Sequence, residues 1–403
     1  MTNLSSNQET KVVVGINGKI DSAVTAYLLL KQGYQVVGCY VEKKVPKSSS
    51  VSGCQEAASL ENSVKIAKFL KIPLEIVETP SAFIDLFEEK GVASKILGIN
   101  FFPCTSCFQY ILESLEKKRE ELKASKIAIG VFSKIVWQKK RAFLWSSNEL
   151  SDNQSYLLSK VPSGILENLL LPLGDLRKKD VIKMASNFPD IFSGSSKKRC
   201  IECWNKSSSS LLEENLPDSL KFPGNIVLRQ DKSIFSAHEG IYQYSLGQTE
   251  FKDALGKSIT NKGAIVGFNR KEGEILLDNP DTCFFPRPEI LLKSVNFCGN
   301  SLESFFEAQE FWMQINDSSL LVETLLWPVT LGFTKATLKN DLKFPLYPGD
   351  EVYFYQKEEK NLILLLQATI FDLRPLFKLS EEEEEAKKQN SQNTIVRNTM
   401  ESF

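Results

Sequence analysis

The chain has 403 residues, 42% hydrophobic and 25% charged, with a net charge of −1. That length calls for two or three domains, and near-neutrality excludes a nucleic-acid binder driven by bulk charge while leaving room for a local basic face. No apolar run approaches the ~18 residues of a membrane span and the polar N-terminus lacks a signal-peptide core, so a cytoplasmic protein with no membrane attachment is expected. Residues 1–10 read as a flexible leader. Strand patterns then fall at 11–15, 35–41, 74–77 and 127–132, and helical patterns at 22–31, 60–70, 108–122 and 178–187. This alternation predicts an α/β domain with a parallel sheet over 11–210. Short strands broken by turns predict a small, mainly β domain at 211–278. Strands punctuated by Pro and Gly predict a C-terminal β-barrel at 279–371. The acidic and polar stretch 372–403 reads as disordered.

The junction of the first strand and first helix is the most informative segment. Val12-Val13-Val14-Gly15 is an apolar strand; Ile16, Asn17, Gly18, Lys19, Ile20, Asp21 and Ser22 follow, and a helix begins. A small polar loop at a helix N-terminus aims backbone N–H groups and the positive end of the dipole at an anion. The spacing is neither that of the P-loop nor that of the dinucleotide fingerprint. Taken alone, it also fits an ordinary turn between a strand and a helix.

Among eight cysteines two pairs share one spacing, Cys104-Thr-Ser-Cys107 and Cys200-Ile-Glu-Cys203. In a reducing compartment such cysteines point to catalysis, metal binding or core packing rather than to structural disulfides. Two such pairs can close a zinc or iron–sulfur site, although their separation of about ninety residues far exceeds that of a ribbon-type site. Thiol chemistry is the competing reading. Cys107 stands close to a helix start, and Cys203 follows Lys197-Lys198-Arg199; both settings favour thiolate. Cys39, Cys54, Cys283 and Cys298 read as structural. His238 is the single histidine, which argues against chemistry built on a histidine base or several histidine ligands. It reads as a structural residue.

The loop 15–22 resembles the pyrophosphate loop Ser-Gly-Gly-x-Asp-Ser of the PP-loop ATP pyrophosphatases. Further landmarks in collinear order resemble the tRNA-specific 2-thiouridylases: residues 98–107 ending in Phe102-Pro103-Cys104-Thr-Ser-Cys107, Asn153-Gln154-Ser155-Tyr156-Leu157-Leu158, Leu171-Pro172-Leu173-Gly174-Asp175-Leu176, Lys197 with Cys203, Phe222-Pro223-Gly224-Asn225, His238-Glu239-Gly240 with Tyr244-Ser245-Leu246-Gly247-Gln248, and Pro348-Gly349-Asp350-Glu351-Val352-Tyr353-Phe354-Tyr355. The likeness runs from about residue 11 to 370. It implies an adenine nucleotide alpha hydrolase-like fold and a tRNA-uridine 2-sulfurtransferase using ATP and Mg²⁺. Its pyrophosphate would lie on residues 15–22, and its adenosine near Val41 and Gly130. Cys203 would carry a persulfide from a sulfur-relay protein or cysteine desulfurase. Cys107 would act as nucleophile or close a disulfide with it. The wobble uridine of the tRNA would be flipped out onto Phe102, Pro103 and Cys104, with Asp152, Asn153 and Gln154 contacting the tRNA.

The chain also departs from that pattern. Asn17 replaces a Ser and Lys19 replaces the second Gly, which predicts either the loss of a φ > 0 turn or added charge for the phosphates. The family's Thr-Gly-His-Tyr element reads Ile129-Gly130-Val131-Phe132, without its histidine. The family's Thr-Pro-Asn-Pro-Asp segment reads Asn100-Phe101-Phe102-Pro103-Cys104, which replaces its polar Asn and Asp with Phe102 and Cys104. Two alternatives follow: a catalytically degenerate paralogue that binds RNA or a sulfur carrier, and a zinc or iron–sulfur protein using both cysteine pairs.

Overall fold

The computed structural model describes residues 7, 9–43, 57–97, 99–138, 140–186, 188, 216–218, 221–260, 262–279, 289–298, 307–340, 346–358 and 361–371. The chain divides into two compact units. The first gathers Met1–Leu216, Pro288–Asn340 and Pro348–Asp372; the second centres on Pro217–Arg287 with Asp341–Tyr347.

The first unit starts with β1 (Lys11–Gly15), β2 (Gln35–Glu42), β3 (Leu74–Glu78) and β4 (Lys126–Ala128), followed by the hairpin β5 (Ser133–Gln138) and β6 (Arg141–Ser146) and the short β7 (Leu169–Leu170). The helices are α1 (Ile20–Lys31), α2 (Ala57–Leu70), α3 (Ala82–Asp85), α4 (Val92–Leu97), α5 (Cys104–Glu121), α6 (Ser163–Leu166) and α7 (Lys178–Ala185). The sheet order is β3-β2-β1-β4-β7, all parallel. Chain order reverses between β1 and β4, which opens a crevice at their C-terminal ends, the usual ligand position in an open α/β sheet. β1 reads as a continuous apolar run because both of its faces are covered. Val13 shares a core with Leu112 and Leu115 of α5, while Val12 and Val14 share another with Val24 and Leu29 of α1 and Val181 of α7.

Two expected elements shift. The strand expected at 127–132 ends at Ala128, and the chain leaves the sheet at Gly130. The apolar residues Ile129, Val131 and Phe132 are buried all the same, in a loop rather than a strand. The helix expected from 108 starts at Cys104, just after Pro103, a residue well placed at a helix start. Thr105, Ser106 and Cys107 are modest helix formers, so tertiary contacts described below hold this first turn.

The C-terminal barrel comprises β14 (Glu289–Phe297), β15 (Gln309–Ile315), β16 (Leu321–Leu326), β17 (Thr334–Leu338), β18 (Glu351–Glu358) and β19 (Asn361–Ile370). Its order is β14-β17-β16-β15-β18-β19, and β14 pairs with β19 to close it. Closure removes sheet edges that would otherwise invite pairing with other chains. The β5–β6 hairpin continues this sheet through Leu144 opposite Leu364. Tyr353, Tyr355, Leu362 and Leu364 belong to the same core as Val13 and Leu112, so sheet and barrel share one buried interior.

The second unit holds a four-stranded sheet, order β12-β13-β8-β9, and the pair β10–β11. The strands are β8 (Gly224–Leu228), β9 (Ile234–His238), β10 (Glu250–Lys252), β11 (Ser258–Thr260), β12 (Ala264–Asn269) and β13 (Glu274–Asp278). Ile226, Tyr244, Phe251, Ile265, Ile275 and Leu277 form its core. His238 is fully buried; its Nε2 lies 2.9 Å from the Gly273 carbonyl oxygen, and its Nδ1 has no hydrogen-bond partner among the described residues.

Candidate functional site

The loop after β1 is held in shape by its own side chains. Asn17 Oδ1 accepts from the Ser22 hydroxyl at 2.8 Å and from the Lys19 backbone N–H at 3.2 Å. The Asn17 N–H donates to Ser22 Oγ at 3.3 Å, and the Ile16 N–H to the Cys39 carbonyl at 2.8 Å. Gly18 turns the chain at φ +77°, a conformation that costs an L-residue roughly 1–2 kcal/mol. Lys19 sits at φ −106° and ψ 161°, ordinary extended geometry for any residue. The substitution at 19 therefore removes no required φ > 0 turn; the glycine that supplies it, Gly18, is present. The Lys19 side chain is exposed at the entry to α1, where first-turn amides lack intrahelical acceptors.

Gly130 closes this loop from the β4 side. A Cβ there would lie 2.6 Å from the Asp21 carbonyl carbon and 2.9 Å from the Ser22 nitrogen. Gln154 steadies the segment that carries it: the Gln154 side-chain oxygen accepts from the Phe132 N–H at 3.1 Å, and the Gln154 N–H donates to the Phe132 carbonyl at 2.9 Å. Val41 lies beyond the last β1–β2 pair, Gly15 opposite Cys39, and pairs with Val77 on β3. Gly15, Val41 and Gly130 are thus all at the C-terminal edge of the sheet, along the crevice. Burial raises the Asp21 carboxyl above its ordinary value, opposed by Lys178 and Lys19 and reinforced by Asp152. Lys178 was not singled out in the sequence; its mark there is the Lys-rich helix after Leu176. Its backbone N–H is capped by Asp152 Oδ2 at 2.8 Å.

The thiols occupy the first turn of α5. Cys104 is half-buried, and Cys107 is buried in a small apolar cluster with Phe83 and Leu86. No disulfide joins any of Cys39, Cys104, Cys107 and Cys298, the cysteines among the described residues. Burial pushes the Cys39 thiol up to about 12 and raises that of Cys298 further, in keeping with core roles. Cys200 and Cys203, with Lys197, lie outside the described residues, as do Cys54 and Cys283. No group of three His, Cys, Asp or Glu side chains among the described residues could hold a metal ion.

Two of the side chains expected to contact tRNA also make contacts within the chain. Phe102 is buried and packs 6.5 Å, ring to ring, from Tyr156. Asn153 Oδ1 accepts from the Ser155 N–H at 3.2 Å, and its Nδ2 lies 3.4 Å from the Tyr355 hydroxyl. No helix among the described residues is long and apolar enough to cross a membrane.

A parallel sheet whose first strand enters a glycine-turned polar loop at its switch point is the open α/β architecture in which ligands bind at the strand C-termini. Within that architecture, residues 10–200 match the family model described as the tRNA methyl transferase HUP domain. The chain is 28% identical to the tRNA-specific 2-thiouridylase MnmA of Clostridium beijerinckii, over 86% of this chain and 96% of that one. It is 26% identical to the enzyme of the same description from Carboxydothermus hydrogenoformans, over 87% of this chain and 95% of that one. Over most of its length the chain is thus similar to the tRNA-specific 2-thiouridylases, from which it diverges widely in sequence. A solved structure, a 4-thiouridine synthetase–RNA complex with bound ATP, aligns with 45% of this chain and 41% of its own at 17% identity, with a TM-score of 0.30, too low to carry an inference.

Proposed function

We propose that the chain is an ATP-dependent tRNA sulfurtransferase that forms 2-thiouridine at the wobble position. The observation that carries this reading is the loop 16–22, with its φ > 0 glycine and the backbone of Asp21 and Ser22 packed against Gly130 at the switch point of the sheet. The pyrophosphate of ATP would rest on this loop, and the adenosine against Val41 and Gly130. The half-buried Asp21 carboxylate would then lie beside the phosphates and would hold Mg²⁺, which neutralises phosphate charge.

The uridine C2 oxygen attacks the α-phosphorus and pyrophosphate leaves, turning a poor leaving group into AMP. The terminal sulfur of a persulfide on Cys203 then attacks C2 and AMP departs. The Cys107 thiol attacks the inner sulfur of the resulting C2–S–S–Cys203 linkage, which releases 2-thiouridine and leaves a Cys107–Cys203 disulfide for an external thiol to reduce. A sulfur-relay protein or cysteine desulfurase supplies the persulfide. Cys107 must come out of its apolar cluster for this step, so tRNA binding is expected to open the turn that carries it.

The test is mass spectrometry of nucleosides from tRNA incubated with the protein, ATP, Mg²⁺ and a sulfur donor. 2-Thiouridine from the wild type, lost in Cys107→Ser and Cys203→Ser, supports the reading; no product, with a donor that serves a control thiouridylase, overturns it.

One observation favours a second reading. Asn17 Oδ1 already engages the Lys19 N–H and the Ser22 hydroxyl, donors that a phosphate would use. A loop satisfied in this way suits a paralogue that binds RNA or a sulfur carrier without ATP. Calorimetric titration with ATP and Mg²⁺ separates the two.

A further inference from the structure

Strand β18 of the barrel reaches the thiol-bearing turn with charged and polar groups rather than apolar ones. Glu351 is 5% exposed. Its Oε2 accepts from the Thr105 hydroxyl at 2.8 Å and from the Tyr353 hydroxyl at 2.7 Å. Its Oε1 accepts from Lys160 Nζ at 2.5 Å, and the same ammonium lies 3.3 Å from the Ser106 hydroxyl. Thr105 and Ser106 are the two residues between Cys104 and Cys107. The approach to this turn is fastened to the same stretch of barrel. The Asn100 N–H donates to the Pro348 carbonyl at 2.8 Å, and its side-chain amide to Asp350 Oδ1 at 2.9 Å. Gly349, at φ +92°, lets the two backbones meet; a Cβ there would lie 2.1 Å from the Asn100 carbonyl oxygen.

Joining a barrel to a helix does not require this chemistry. Apolar residues of similar volume would do so without desolvating a carboxylate and an ammonium. What the ion pair adds is direction. A carboxylate beside the first turn of a helix also sits where the helix dipole favours negative charge, so Glu351 favours the helical form of a turn whose own residues favour it weakly.

We propose that Glu351, together with Lys160, is a positioning residue for the thiol turn, keeping Cys107 turned into its apolar cluster until the barrel releases Thr105 and Ser106. This rests on the reading of Cys107 as a working thiol, but its first test needs neither ATP nor tRNA. Iodoacetamide labelling of the native full-length chain, read cysteine by cysteine by mass spectrometry, reports how often the turn opens. Glu351→Gln should speed alkylation of Cys107 by about tenfold, because a buried thiol reacts through local opening. Thr105→Val, which removes one hydrogen bond and leaves the ion pair, should speed it by a smaller factor and keeps the test open if the first variant folds poorly. Cys39, buried in the central sheet, is the internal reference and should not change.

Unchanged Cys107 labelling in both variants would overturn the proposal. So would a parallel rise at Cys39, which would mean general loosening. In the sulfurtransferase assay the same variants should shift kcat, through how often the turn opens, and leave the KM for ATP alone. If wild type makes no 2-thiouridine while labelling responds as expected, the sulfurtransferase reading fails and the clamp stands.

Discussion

Gly130 and Asp21 are in backbone contact: a Cβ at 130 would sit 2.6 Å from the Asp21 carbonyl carbon and 2.7 Å from its oxygen. The end of β4 and the start of α1 therefore form one rigid wall of the crevice. Gly130→Ala must push the loop or the β4 end aside. We expect the protein to lose about 1–3 kcal/mol of stability by overpacking and ATP binding to fall at least about tenfold, equivalent to about 1.4 kcal/mol. Urea unfolding and calorimetry check the two effects. A Gly130→Ala chain that binds ATP like wild type would show that the loop is not the nucleotide site.

Asp21 is held above its ordinary carboxyl value by burial. The folded chain keeps that proton to a higher pH than the unfolded chain, so the native state binds more protons in this window. Stability from this group is present at low pH and lost as pH rises from about 3.9, the unfolded value, through the raised folded value. Asp21→Asn removes the burden at neutral pH. Its Tm at pH 7 should rise by about 2 °C and the gain should vanish near pH 3, while ATP-dependent activity is lost. Scanning calorimetry at both pH values tests the sign; a lower Tm at pH 7 would contradict it.

His238 is buried in the second unit, and burial lowers its pKa, opposed only by its bond to the Gly273 carbonyl. The unfolded chain takes up a proton near pH 6.5 while the folded unit stays neutral to lower pH. Stability should therefore fall as pH drops below about 6.5. Hydrogen exchange at β8 and β9 should be faster at pH 5.5 than at pH 7.5, after correction for intrinsic rates. His238→Gln should flatten this dependence.

Leu331 stands at φ +52°, next to Gly332 at φ +77°, and is 94% exposed. A leucine in this region is strained by roughly 1–2 kcal/mol and contributes no burial in return. Leu331→Gly should stabilise the protein by up to about 1 kcal/mol, the relief of strain being partly offset by added freedom of the unfolded chain. A loss of stability in chemical denaturation would mean that the leucine has a partner in solution.

The sequence determined the parallel sheet, the barrel and the loop after β1 because each is written in local pattern. A buried strand needs an apolar run, as in residues 12–14; a φ > 0 turn needs a glycine, as at Gly18; and a helix start gathers amides whatever follows it. Of the two readings of Lys19, the lost turn fails, because side-chain identity at 19 says nothing about φ and the backbone puts the φ > 0 turn at Gly18. Tertiary structure decided the rest. Cys107 reads in the sequence as a thiol ahead of a helix, yet it lies inside the first turn and against Phe83 and Leu86. Phe102, Asn153 and Gln154 read in the sequence as contacts for a nucleic acid, and the fold adds the bonds each makes within the chain. Glu351 stands in the sequence only within the landmark that starts at Pro348, with no role attached, and Lys160 carries no signal. The partners of a hydrogen bond between residues 105 and 351, nearly 250 positions apart, leave no periodicity or spacing in the chain, and only the closure of the barrel beside the sheet brings them together.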